Sequence, residues 1–247
     1  TTRKNLQILK PYFKSSHKFL IASKGIEKST GKRISEMILE ELPYCKKENI
    51  GVISGPNLAN EIYNGKSTSS VIASENINFY NELKNIIESN NFKTYFSDDI
   101  TGVELGGALK NIVTIGAGIC DGLNLGNNLK GAFISIAFSE IVKIATKAGA
   151  NPITISGLSG LGDTLASSYS PLSRNRKAGQ LIGEKNSRNS LKTKIGNIIE
   201  GLDTIYGAKK LSNTISHNTE FIDLMIKVCD SKVDPIELIK FTIGEID

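Results

Sequence analysis

Residues 97–122 read SDDITGVELGGALKNIVTIGAGICDG, and the texture of the chain changes inside that stretch. Upstream, short β-type runs alternate with amphipathic segments. Residues 19–23 read as a buried strand, 33–42 as a helix, and 50–54 and 69–74 as two further strands. Residues 76–90 place Ile77, Tyr80, Leu83, Ile86 and Ile87 at helical spacing, and 93–97 form a last strand. Strands alternating with helices imply a parallel or mixed sheet covered on both faces. Downstream of residue 100 come long apolar segments at helical spacing with glycine-rich joints, the pattern of an all-α unit. Asp98 and Asp99 suit a turn and a helix N-cap at the junction. The expected organisation is therefore α/β plus all-α, with one domain over residues 1–98 and a helical domain over 99–247.

The chain has 247 residues, 39% hydrophobic and 22% charged, a composition that excludes disordered and fibrous classes. With 30 basic against 25 acidic residues the net charge is +5, too small and too evenly spread to argue for a nucleic-acid partner. Small anionic substrates stay open. Cys45, Cys120 and Cys229 are far apart and lack metal-ligand spacing, so a reducing, cytoplasmic setting is expected, with no metal site and no disulfide framework. No run reaches the roughly 20 apolar residues that span a bilayer, so no membrane span is expected. The chain opens on Thr1-Thr2-Arg3-Lys4 without an apolar leader or an initiator Met, which suggests a fragment or a processed chain.

Four stretches carry candidate chemistry. Ser23-Lys24-Gly25 follows a buried strand, where ligands of open α/β sheets bind; Lys24 either meets an anion there or is simply solvated. Ser54-Gly55-Pro56-Asn57-Leu58-Ala59 repeats the arrangement after the next strand, with Gly55 permitting close backbone approach and Asn57 able to cap a helix; an ordinary strand-to-helix turn is the alternative. Lys110 is the only charged side chain between Glu104 and Asp121. On a helix its neighbours three, four and seven residues away are small or apolar, and Gly106 and Gly107 invite close approach to the helix backbone. A desolvated lysine in that position suits general acid/base work, and a core-edge lysine that snorkels is the bland alternative.

The fourth is the glycine-rich run 157–163, ending at Asp163, followed by Ser170-Pro171-Leu172-Ser173-Arg174-Asn175-Arg176-Lys177. Ser170 and Pro171 read as N-cap and first helical residue. Three cations then occupy turns where the helix dipole disfavours them, and a phosphate shared by Arg174 and the free N–H groups would resolve the conflict. An exposed basic helix start is the alternative. Asp163 reads most simply as an N-cap. Residues 112–118 mimic a strand entering a dinucleotide-binding turn, but residues 121–128 are turn-rich and the chain contains no G-x-G-x-x-G.

Taken together these residues resemble the bacterial NAD(P)-dependent glycerol-3-phosphate dehydrogenases. The resemblance runs through residues 22–25, 54–59, 102–111, 157–163 and 170–176 and Glu200-Gly201, and so covers most of the chain. It implies an N-terminal Rossmann-like domain, here incomplete because the family's glycine-rich phosphate loop is expected ahead of residue 1, and a helical C-terminal domain. It also implies reversible oxidation of sn-glycerol 3-phosphate to dihydroxyacetone phosphate with NAD or NADP, serving phospholipid synthesis. Lys110 would accept the proton from the C2 hydroxyl. Lys24, Gly55, Asn57, Lys110, Asp163, Ser173, Arg174 and Asn175 would hold the substrate, and Lys24, Ala59, Arg174, Ile198 and Glu200 would lie near the cofactor. Ile136 stands where the family is expected to carry an arginine. A homodimer is compatible with the resemblance. The reading from a different class is a non-catalytic remnant that at most binds small phosphates, and a hydroxyacid dehydrogenase would explain Lys110 and Asn111 without the cation-rich helix start.

Overall fold

A computed structural model describes residues 2–186, 188–196, 199–217 and 219–244. Four strands, β1 (Phe19–Ile21), β2 (Ile50–Ser54), β3 (Thr68–Ser74) and β4 (Phe92–Ser97), form one sheet in sequential order. β1 and β2 run parallel, β3 is antiparallel to β2, and β4 is parallel to β3, so the sheet is mixed. Helix α1 (Thr2–Leu9), which the sequence reading did not assign, packs beside α2 (Ile34–Glu41). Arg3 ties it there through Glu27, Glu40 and Glu41. α3 (Ala59–Tyr63) and α4 (Ile77–Ile87) complete the unit.

The two faces of the sheet follow the period of two. Ile50 and Val52 point into a cluster with Met37, Ile38 and Leu42 of α2 and its flank, whereas Ile72 packs with Phe79, Tyr80 and Leu83 of α4. Because β1 and β2 are parallel, the loops after both leave the same edge of the sheet. Both candidate loops therefore open on one side of the molecule.

The helical part begins with α5 (Ile100–Gly122), N-capped by Asp99, whose carboxylate accepts the Gly102 N–H at 2.7 Å. Its composition would let it cross a bilayer, yet 94% of its most apolar window is buried inside the protein, so it is the central core helix. Val103 in its first turn joins the core of the sheet, and Leu109, Ile112, Ile115 and Ile119 centre the larger core. Around it lie α6 (Gly126–Lys147), α7 (Pro152–Ile155), α8 (Asp163–Tyr169), α9 (Arg174–Gly183), α10 (Arg188–Ile195), α11 (Glu200–Thr214), α12 (Glu220–Cys229) and α13 (Pro235–Ile243). The stretch expected to be turn-rich narrows to 123–125, because Gly126, Asn127 and Asn128 already belong to α6.

Three expected caps are corrected. Ser170 and Pro171 do not start α9; Ser170 ends α8, and Ser173 is the N-cap, its hydroxyl accepting the Arg176 N–H at 3.3 Å. Asn57 caps nothing, since α3 starts after Leu58 and the Asn57 amide oxygen accepts the Ser70 hydroxyl at 2.8 Å. Asp163 sits inside helical backbone, and its side chain makes long-range ion pairs instead of a cap.

α5 and α9 meet backbone to backbone. A Cβ on Gly179 would lie 1.9 Å from the Ile115 carbonyl oxygen and 3.0 Å from the Gly118 Cα, and one on Gly183 would lie 3.0 Å from the Gly122 Cα. The pairing of 118 with 179 and of 122 with 183 runs the two helices parallel. Gly179→Ala should therefore destabilise the protein by about 3 kcal/mol, the scale of an overpacked core, because rigid backbone has to move. Gly131→Ala in α6, where a Cβ meets nothing within 4 Å, should be neutral or stabilise by up to about 1 kcal/mol. Urea unfolding of the pair checks both signs.

Candidate active site

The site begins where the β1 loop meets α5. A Cβ on Gly107 would lie 2.5 Å from the Ser54 hydroxyl and 3.5 Å from the Lys24 Cγ, so the bare backbone there lets both sheet-edge loops close onto the helix. The adjacent Gly106 faces Ser159 and Gly160 of a π-helical turn (Leu158–Gly162) that follows α7. The glycine pair is thus explained by close approach of the protein's own backbone and loops. The π turn, a form common at functional sites, aims the next residue, Asp163, at the cleft between sheet and helix.

Asp163 joins the two halves. Its Oδ2 accepts from Lys24 Nζ at 2.6 Å and its Oδ1 from Lys110 Nζ at 2.9 Å. Lys24 Nζ also donates to the Gly55 carbonyl at 2.9 Å, and Lys110 Nζ to the Ser167 hydroxyl at 2.7 Å. Lys110, Asp163 and Ser167 are all at most 5% exposed. Burial pushes the Lys110 ammonium below the ordinary lysine value; Asp163 opposes that shift, and the second cation, Lys24, adds to it. With both lysines protonated, two cations share one carboxylate, a surplus of positive charge that suits an anionic ligand.

Ser167 was not singled out from the sequence. Once Asp163 lies in a helix, Ser167 four residues on shares its face, and that spacing was the available signal. Asn111, next to Lys110 on α5, accepts from Asn175 Nδ2 at 2.8 Å, and Asn175 Oδ1 in turn takes the Gly201 N–H at 3.1 Å. Asn111 is 2% exposed, and its own Nδ2 has no partner among the described residues. Unsatisfied buried donors are uncommon, and this one belongs to the residue that follows Lys110 in α5.

Arg174, exposed at the start of α9, lines a cleft of about 810 Å³ with Ser23, Lys24, Gly25 and Glu200. The structure thus gathers Lys24, Gly55, Lys110, Asp163, Arg174, Asn175 and Glu200 on one side of the molecule. Asn57, two residues past Gly55 in the same loop, bonds Ser70, Ala59 is exposed at the start of α3, Ser173 is engaged as the helix cap, and Ile198 falls outside the described residues. Glu104, also on α5, anchors the site to α2: its buried carboxylate accepts from Arg33 at 2.8 Å and from the Ser35 N–H at 2.9 Å. Burial pushes that carboxyl above its ordinary value despite the Arg33 charge.

Fold and site together define a Rossmann-like α/β unit joined to a helical domain, with a buried lysine–aspartate centre at the junction. The chain belongs to the NAD-dependent glycerol-3-phosphate dehydrogenase family: the model of that family's C-terminal part matches residues 99–240, and that of its N-terminal part residues 1–80. A glycerol-3-phosphate dehydrogenase [NAD(P)+] of Dehalococcoides mccartyi is 39% identical over 235 residues, 95% of this chain and 66% of the relative. One of Bacillus pumilus is 42% identical over 194 residues, 78% of this chain and 56% of the relative. The chain thus spans 66% or less of the length of these curated relatives. The crystal structure of a Coxiella burnetii glycerol-3-phosphate dehydrogenase superposes with a TM-score of 0.93 at 29% identity, covering 99% of this chain and 74% of that one.

The lowered Lys110 value has a measurable sign. Between the lowered and the ordinary value the folded state binds fewer protons than the unfolded state, so stability rises with pH through that window. Urea unfolding at neutral and alkaline pH should show this slope in the parent and its loss in Lys110→Met. Asp163→Asn, which leaves the buried Lys110 and the partly buried Lys24 without their carboxylate, should cost about 3 kcal/mol at neutral pH. A parent and a Lys110→Met variant with equal pH slopes would contradict the assignment.

Proposed function

We propose that this chain carries the substrate-binding and proton-transfer machinery of an oxidoreductase that interconverts sn-glycerol 3-phosphate and dihydroxyacetone phosphate, supplying glycerol 3-phosphate for phospholipid synthesis. The observation that supports it most is the buried Lys110, held by Asp163 and Ser167, with Asp163 also bonded to Lys24, which lines the cleft that carries Arg174. In the oxidative direction neutral Lys110 takes the proton of the C2 hydroxyl, and in the reductive direction its ammonium returns it. Asp163 keeps the amine aimed, and the unpartnered Asn111 Nδ2 is a donor for a substrate oxygen. Arg174, the free N–H groups at the start of α9 and Lys24 take the phosphate.

The residues present fit NAD or NADP: Lys24, Arg174 and Glu200 line the same 810 Å³ cleft, and Lys24 shares the Asp163 carboxylate with Lys110. When bound, the nicotinamide supplies the hydride acceptor or donor for C2. The chain's own work is to orient C2, to move the proton and to exclude water from a centre already nearly inaccessible. The buried thiols Cys45, Cys120 and Cys229 support a reducing, cytoplasmic setting.

Calorimetry with glycerol 3-phosphate, and with glycerol as control, tests the binding half. Arg174→Ala should weaken binding of the phosphorylated ligand by about 2 kcal/mol, the scale of a lost charge-assisted bond, and leave glycerol unaffected. In a version with an intact nucleotide domain, Lys110→Ala should lower turnover of dihydroxyacetone phosphate with NADH or NADPH by about two to four orders of magnitude. Phosphate binding without any turnover even with an intact nucleotide domain would favour the non-catalytic reading, and indifference to Arg174→Ala would remove the phosphate site.

A further inference from the structure

Asp121, Lys130, Tyr169 and Arg176 form a second ionic cluster that the proposed chemistry does not use. Lys130 Nζ lies 2.9 Å from each Asp121 carboxylate oxygen, and Arg176 Nε donates to Asp121 Oδ2 at 2.7 Å. The same ammonium stands 4.6 Å from the centroid of the Tyr169 ring. Lys130 is only 3% exposed, a burial rare for lysine and costly unless the charge is paired. By residue rise Asp121 lies about 16 Å along α5 from Lys110, too far to touch a ligand held there.

Each member comes from a different helix. Asp121 is in the last turn of α5, Lys130 near the start of α6, Tyr169 at the end of α8 and Arg176 in the first turn of α9. Three of those helices carry the candidate site: α5 holds Lys110 and Asn111, α8 holds Asp163 and Ser167, and α9 holds Arg174 and Asn175.

We infer that the Asp121–Lys130–Arg176 cluster is a positioning device that fixes the register and rotation of α9, and so places Arg174 and Asn175 for a phosphorylated ligand. The inference rests on the glycerol 3-phosphate reading for its ligand and on geometry for the rest. α5 and α9 touch through Gly118, Gly122, Gly179 and Gly183, and an interface of bare backbone has few side chains interlocked against sliding. Polar locks must therefore set the register. Asn175 to Asn111 is one, and Arg176 to Asp121 is another. Arg176 is one residue from Asn175 and two from Arg174, so a rotation of the first turn that breaks the Asp121 contact carries both away from the cleft. Asp121 also supplies an anion to a first turn that holds no acidic residue, offsetting the helix dipole's repulsion of Arg176.

Hydrogen exchange and calorimetry on Asp121→Asn, Lys130→Met and Lys130→Arg test this. In Asp121→Asn and Lys130→Met the amides of Arg176 and Lys177, held by Ser173 in the parent, should exchange about tenfold faster or more, while amides of α5 around Ile112–Ile119 keep their protection. Affinity for glycerol 3-phosphate should fall about tenfold in the same variants, and Lys130→Arg, which keeps the charge and the ring contact, should restore both readings. If Asp121→Asn does not fold, Arg176→Lys replaces it, with the same loss expected at the start of α9. Unchanged exchange at Arg176 and Lys177, or loss of protection spread evenly over the molecule, overturns the positioning role whatever the ligand does. A parent that does not bind glycerol 3-phosphate overturns the functional reading instead, and the exchange data then decide the role of the cluster alone.

Discussion

One carboxylate holds the molecule's two halves to a common purpose. Asp163 reaches Lys24 from the sheet edge with one oxygen and Lys110 from the central helix with the other. Moving a charged trio out of water is unfavourable unless each member is paired and further hydrogen-bonded. Here Gly55 and Ser167 complete the set on the two lysines. Removing the carboxylate leaves like charges facing each other at low solvent access, so the arrangement of loop, π turn and helix depends on it.

What makes that bridge reachable is the shape of α5. Its glycines sit where other backbone has to come close: Gly106 under the π turn, Gly107 under the sheet-edge loops, Gly118 and Gly122 under α9. A helix with side chains at these positions would hold its neighbours farther off, and neither Asp163 nor Asn175 would reach its partner on α5. The apolar residues between them, from Leu109 to Ile119, anchor the helix in the larger core, so the polar contacts are made against a rigid member. Glu104 adds a third tie, to α2, and locks the helix to the sheet unit.

Much of this was legible in the sequence where the signal is local. Period-two runs marked β2 and β3, the lone charge in a long apolar stretch marked Lys110, and Asp99 marked the start of α5. The failures have a common cause. Asp163 looks like a cap because the cap pattern is local, whereas its partner Lys24 lies 139 residues away. Ser170-Pro171 and Ser173 both carry the grammar of a helix start, and the choice fell to Ser173 once Arg176, three residues on, was drawn to Asp121 across 55 residues of chain. α1 escaped notice because what holds it is distant in sequence: Leu6 packs into the sheet core and Arg3 meets Glu27, Glu40 and Glu41. The family resemblance named candidate residues where spacing alone left alternatives open, and it did not disclose which of them touch.

The protonation of Lys110 is the point on which the account turns, since a buried proton acceptor has to reach its neutral form at a lower pH than a surface lysine. A pH titration of the protein followed by carbon NMR at the lysine Cε, with Lys110→Met to assign the signal, measures this directly. The account predicts one resonance, absent in the variant, that titrates below the bulk of the lysines because of burial, against the pull of Asp163. A Lys110 signal that titrates with or above the exposed lysines would contradict it, and would make Lys110 a structural cation of the Asp163 bridge.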